Sequence, residues 1–178
     1  MLCAACTPDV RGTRRLVTLD LDVYAVGQYG GTLRRAVLAY KRGRRDIGDA
    51  LAALLVERLM PLVPRDAIVV PVPTHARRRR ERGFDQSVRL AHACGIASGL
   101  PVVVALRQVA GDGQRGRDRS ARLRARGRFA CVAPELVAGA SIVLLDDVLT
   151  TGATLRDCAA TLAACGADVR AAVVIAYA

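Results

Sequence analysis

Two adjacent carboxylates, Asp146 and Asp147, close a short apolar run and are followed by Val148, Leu149, Thr150, Thr151, Gly152, Ala153 and Thr154. Neighbouring acids can accept hydrogen bonds from sugar hydroxyls, or hold Mg²⁺ directly or through its waters. The threonine hydroxyls, a glycine that lets the backbone approach closely, and the start of a helix near Ala153 suit a phosphate. A strand-to-helix turn needs only a capping residue. Two acids plus Thr-Thr-Gly exceed that need, so residues 142–155 read as a sugar-phosphate site.

Basic clusters supply candidates for a second anion site. Residues 77–82 (RRRRER) hold five Arg and one Glu, just after Val72, Pro73, Thr74 and His75. Lys41, Arg42, Arg44 and Arg45 form another cluster, with Asp46 and Asp49 nearby. Residues 107–128 carry eight Arg and two Asp. The net charge is +11, and Lys41 is the only Lys among 27 basic residues. Such clusters suit pyrophosphate or nucleic acid, or form a solvated Arg-rich surface. Aromatics make up 3% of the chain with no Trp, which disfavours base stacking and leaves backbone contact as the mode for any nucleic acid. Cys3 and Cys6 form a C-x-x-C, half of a tetrahedral zinc site, with no second pair nearby to complete it. A resident zinc is therefore not expected.

An alternating set of strands and helices must position these groups. Residues 22–29, 67–72, 102–106, 129–132, 141–145 and 169–177 read as strands. Residues 32–40, a segment capped by Asp46 and ended by Pro61 and Pro64, residues 84–98 and residues 153–165 read as helices, with Gly166 capping the last. Apolar strands alternating with helices predict an α/β fold, a parallel sheet covered by helices on both faces. Ligands of such sheets bind at the carboxyl ends of strands. Residues 108–128 are polar, long for a loop, and rich in Gly and Arg, which marks a functional or disordered segment.

At 178 residues the chain suits one domain, residues 22–178, preceded by a segment of residues 1–21 that holds the lone C-x-x-C. No run of about twenty apolar residues marks a membrane span, and residues 1–12 have no secretory pattern. A cytoplasmic protein is expected, with Cys94, Cys131, Cys158 and Cys165 as buried thiols. His92 reads as a packed or surface residue; Tyr24, Tyr29, Tyr40 and Tyr177 read as core or strand residues.

The segment IVLLDDVLTTGATL resembles the phosphoribosyl-pyrophosphate signature of type I phosphoribosyltransferases. VPVPTHARRRRERGFDQ and AYKRGRRDIGDAL resemble segments of the competence-associated ComF family of that superfamily. Gln114, Arg119, Arg122, Gly127 and Phe129 resemble a third, looser pattern. The resemblance implies a type I phosphoribosyltransferase-like sheet with a flexible Arg-rich hood formed by residues 108–128. It implies phosphoribosyl pyrophosphate as substrate, with Mg²⁺ held near Asp146 and Asp147 through ligand and water. Those acids would contact the ribose 2- and 3-hydroxyls, and Leu149, Thr150, Thr151, Gly152, Ala153 and Thr154 would wrap the 5′-phosphate. Val72, Pro73 and Thr74 would form the pyrophosphate loop, with Arg77, Arg78 and Arg82 near the leaving group and Lys41 reaching the same anion. The acceptor of the ribosyl phosphate is not specified. Two other functions fit the same residues: an accessory protein of DNA uptake or recombination that holds single-stranded DNA and works with competence or recombination proteins, and a non-catalytic phosphoribosyl-pyrophosphate sensor. The chain departs from the family pattern at Asp85, where Asn is usual, and in having Cys3 and Cys6 in place of a four-cysteine zinc module.

Overall fold

Strand β1 (Arg14–Thr18) pairs antiparallel with β2 (Leu21–Gln28) at one edge of the main sheet. Helices α1 (Gly31–Lys41) and α2 (Arg45–Arg58), then a 3-10 turn (Met60–Leu62), lead to β3 (Ile68–Pro71) and α3 (Gln86–Ser98). Strands β4 (Leu106–Gln108), β5 (Ala125–Arg126) and β6 (Phe129–Cys131) follow, then α4 (Pro134–Val137), β7 (Ser141–Leu149), α5 (Ala153–Ala163) and β8 (Asp168–Tyr177). This is a computed structural model, and it describes residues 14–18, 21–74, 80, 83–109, 125–126 and 128–178.

The main sheet has the order β1-β2-β8-β7-β3, and the last four of these strands are mutually parallel. A small antiparallel sheet, β4-β6-β5, stands apart from it. One face of the main sheet packs Val143, Leu145 and Val173 against Leu33 and Val37 of α1, with α2 and α3 in the same cluster. The other face packs Ile142, Leu144 and Val174 against Leu155, Cys158 and Leu162 of α5 and Phe129 of β6. Cover on both sides explains why β7 and β8 are apolar along most of their length. Helix α1 shows the underlying pattern, burying Leu33, Ala36, Val37 and Tyr40 while Arg34 and Arg35 face water.

Several expected boundaries shift for local reasons. Strand β7 continues to Leu149, because Val148 and Leu149 still pair with Ala176 and Tyr177. The acidic pair therefore lies within the strand, and the loop after it is shorter than the sequence suggests. Helix α2 starts at Arg45 with Arg44 at its N-cap; Asp46 sits in the first turn, and its carboxylate takes two bonds from the Arg44 guanidinium at 2.6 and 2.9 Å. The expected strand at residues 102–106 is only a bridge from Val102 to Val69, after which the chain leaves the main sheet and pairs Leu106–Gln108 with β6. Helix α3 begins at Gln86, two residues late, because Asp85 is its cap and accepts from the Val88 N–H at 3.4 Å. Helix α5 ends at Ala163, and Gly166 follows with φ 81°. Cys94, Cys131 and Cys158 are buried as expected, whereas Cys165 is half-buried. Burial pushes the Cys94 thiol up to about 12 and the Cys131 thiol up to about 11. No helix among the described residues is long and apolar enough to cross a membrane.

Gly95 lets α3 approach the chain that returns to β3. A Cβ there would lie 2.4 Å from Val102 Cγ2 and 2.8 Å from the Leu100 carbonyl oxygen. Alanine normally stabilises a helix over glycine by about 1 kcal/mol, but a backbone oxygen cannot swing aside. Gly95→Ala is expected to lose about 1–3 kcal/mol in a urea titration.

Candidate functional site

The carboxyl ends of β7 and β3 bring the two best sequence motifs side by side. Pro71 is in register with Leu145, and the Val72 N–H donates to the Leu145 carbonyl at 2.9 Å. Val72, Pro73 and Thr74 therefore leave the sheet next to Asp146. Successive strand residues point to opposite faces. Asp147 turns toward α1, where its Oδ2 lies 2.9 Å from Lys41 Nζ. Asp146 turns toward α5, close enough for its charge to act on the Cys158 thiol. The Asp147 N–H donates to Asp146 Oδ1 at 2.7 Å.

Lys41 thus balances Asp147, and Asp146 has no comparable cation among the described residues. Its carboxyl is pushed up to about 8, first by burial and then by the charge of Asp147, against smaller downward effects of the Asp147 N–H and Lys41. A carboxyl whose ionisation is disfavoured without a cation, beside a second carboxylate, fits a hard divalent cation. No group of three or more His, Cys, Asp or Glu among the described residues could hold a metal ion. The two carboxylates would suit Mg²⁺ that takes its remaining ligands from water and ligand oxygens, the usual mode for that ion.

The turn after β7 is compact. Leu149 is a buried strand residue, and its carbonyl accepts from the Ala178 N–H at 2.8 Å. Thr150 and Thr151 are exposed, and Gly152 takes a left-handed conformation with φ 73° as the N-cap of α5. The Ala153 N–H donates to Thr151 Oγ1 at 3.4 Å. First-turn N–H groups of a helix lack intrahelical acceptors and carry the positive end of its dipole. The arrangement can therefore seat a phosphate over Thr150, Thr151 and Gly152.

Thr74 is held by Asp85, the residue at which the chain departs from the family pattern. Its hydroxyl donates to Asp85 Oδ1 at 3.1 Å and lies 3.5 Å from Ser87 Oγ. Asp85 thus caps α3 and anchors the loop after β3, two roles an Asn side-chain oxygen would also fill. The pattern Asp-x-x at a helix start was the available signal. His92 is exposed. Arg77, Arg78, Arg82, His75, Cys3 and Cys6 lie outside the described residues, as do Gln114, Arg119, Arg122, Gly127 and most of the expected hood. A cavity of about 460 Å³ lined by Val56, Met60, Pro64, Ser98 and Leu100 lies at the amino end of β3, away from the acidic pair.

The chain is similar to known proteins along most of its length. A phosphoribosyl transferase domain family matches residues 92–178. The chain is 33% identical over 176 residues to DNA utilization protein YhgH of Salmonella typhi, spanning 93% of this chain and 73% of that protein. The protein of the same name from Salmonella typhimurium is 32% identical over 176 residues. Solved structures similar to it include an allosteric regulatory enzyme of purine biosynthesis and the glutamine phosphoribosylpyrophosphate amidotransferase of B. subtilis complexed with ADP and GMP. Each has a TM-score of 0.49 and 22% identity over 75% of this chain, and the match covers 25% and 26% of those longer chains. With a phosphoribosyl transferase domain over its second half and a relative aligned along nearly its whole length, the chain belongs to the ComF-type phosphoribosyltransferases.

Proposed function

We propose that this protein binds phosphoribosyl pyrophosphate with Mg²⁺ at the carboxyl ends of β3 and β7 and transfers ribose 5-phosphate to an acceptor. The observation that carries the reading is the acidic pair followed, five residues after Asp147, by a left-handed glycine and the start of α5. A phosphate-only site has no use for two carboxylates, whereas a ribose 5-phosphate has two hydroxyls for them and a phosphate for the helix. Asp146 and Asp147 accept from the 2- and 3-hydroxyls, and the Thr150–Gly152 turn binds the 5′-phosphate. Val72, Pro73 and Thr74 follow the pyrophosphate, with Lys41, Arg77, Arg78 and Arg82 as its cationic contacts. When C1–O breaks, the electron pair leaves with pyrophosphate and positive charge develops on the sugar, beside the two acids. Mg²⁺, when bound, neutralises charge on the leaving group.

Saturating phosphoribosyl pyrophosphate with Mg²⁺ is expected to stabilise the protein by about 2.7 kcal/mol at a hundred times Kd, several degrees in melting temperature. No shift at any ligand concentration would sink the reading. Pyrophosphate release on addition of a nucleobase panel separates a transferase from a sensor.

A second reading, single-stranded DNA handling alongside competence or recombination proteins, draws on the name of the Salmonella relatives, DNA utilization protein, and on the net charge of +11. If Arg residues hold the phosphate backbone, log K for a single-stranded oligonucleotide should fall by about 0.7 per phosphate contact with each unit of log salt. A flat salt dependence would count against it.

A further inference from the structure

Tyr40 and Gln86 form a reciprocal pair between the last turn of α1 and the first turn of α3. The Tyr40 hydroxyl donates to the Gln86 carbonyl at 2.9 Å, and Gln86 Nε2 donates to the Tyr40 carbonyl at 3.3 Å. Their relative exposures are 0% and 1%. Packing alone does not call for a hydroxyl here, since the ring sits among Leu and Val side chains and lies 5.8 Å from the Phe84 ring. The seat is also shaped for that ring, because a Cβ on Gly48 would come within 2.3 Å of Tyr40 Cε2.

Each partner has a neighbour in the site. Lys41 follows Tyr40 and places its Nζ on Asp147 at 2.9 Å. Asp85 precedes Gln86 and holds the Thr74 hydroxyl at 3.1 Å. We infer that the Tyr40–Gln86 pair positions the pyrophosphate end of the site, fixing Lys41 relative to the loop that carries Thr74. Tyr40 and Gln86 are positioning residues and do not touch the substrate. The inference rests on the phosphoribosyl-pyrophosphate reading and adds to it the coupling of two segments that are 46 residues apart in sequence.

Calorimetric titration of Mg²⁺–phosphoribosyl pyrophosphate into the full chain tests this, using Tyr40→Phe, Gln86→Met, Lys41→Met and a Tyr24→Phe control. Tyr40→Phe keeps the ring and removes only the hydroxyl; it is expected to raise Kd about tenfold, or about 1.4 kcal/mol. Gln86→Met keeps the backbone carbonyl that Tyr40 uses and is expected to raise Kd about threefold. Tyr24→Phe should leave Kd unchanged. On a Lys41→Met background, Tyr40→Phe should cost less than threefold, because both changes remove the same placement. Wild-type binding with an unchanged Kd in Tyr40→Phe overturns the inference alone. So does full additivity with Lys41→Met, since a merely structural role would act independently of Lys41. Absence of binding by the wild type overturns the underlying reading instead, and the inference with it.

Discussion

Asp146→Asn is expected to make the metal-free protein more stable at pH 8 while removing its response to Mg²⁺–phosphoribosyl pyrophosphate. The stability gain follows from proton linkage. Asp146 has an ordinary carboxyl pKa of about 3.9 in the unfolded chain, and burial beside Asp147 raises it in the folded state. Between those two values the folded protein binds more protons than the unfolded chain. Stability contributed by the protonated form is complete below about pH 4 and is lost as pH rises through the folded pKa. Asparagine stays neutral throughout, and its side-chain oxygen can still accept from the Asp147 N–H. The variant's advantage should therefore be absent near pH 4 and reach about 1–3 kcal/mol by pH 8, the scale of a half-buried group relieved of an uncompensated charge. Chemical denaturation in EDTA at pH 4.5, 6 and 8 measures it, and a gap that stays constant with pH would contradict the assignment. Binding should move the other way. On the proposed function, in which Asp146 accepts from the sugar, its replacement is expected to weaken ligand affinity at least a hundredfold, about 2.7 kcal/mol.

Gly152→Val is expected to lose both stability and binding, in contrast to Asp146→Asn. Gly152 holds φ 73° at the start of α5. A residue with a Cβ loses about 1–2 kcal/mol in that conformation, and a β-branched one tolerates it worst. The new methyl groups would also occupy the approach of a phosphate to the first-turn N–H groups. A control separates these effects. Gly139 has φ 72° with nothing within 4 Å of a built Cβ, and it precedes β7 at the far end of the strand. Gly139→Ala should lose about 1 kcal/mol from the same backbone strain with affinity intact, while Gly152→Val loses about 2 kcal/mol and at least a hundredfold in affinity. Equal affinities in the two variants would show that the turn does not bind the ligand.

Local pattern made most of the architecture legible. Continuous apolar runs marked β3, β7 and β8, and the helical spacing of Leu33, Val37 and Leu38 marked α1. The failures came where tertiary pairing decides a boundary. Polar side chains at Asp146 and Asp147 suggested that the strand had ended, yet pairing with β8 carries β7 on to Leu149. Val102 looked like part of a strand, but β6 draws Leu106–Gln108 into a separate sheet. In the site, the acidic pair was evident because no simple turn requires it. The Asp147–Lys41 contact was not, because it joins residues on different elements, a strand and the helix packed over it. Tyr40 read as a core residue, which it is; its hydroxyl bond to the Gln86 carbonyl depends on how α1 meets α3.

Calorimetry with phosphoribosyl pyrophosphate and Mg²⁺ tests the central assignment most directly, run on the wild type and on Asp146→Asn with Asp147→Asn. The wild type should bind one ligand per chain only when Mg²⁺ is present, and the double variant should give no saturable heat. Equal binding by the two proteins, or no binding by the wild type, would contradict the assignment of a sugar-phosphate site to the end of β7.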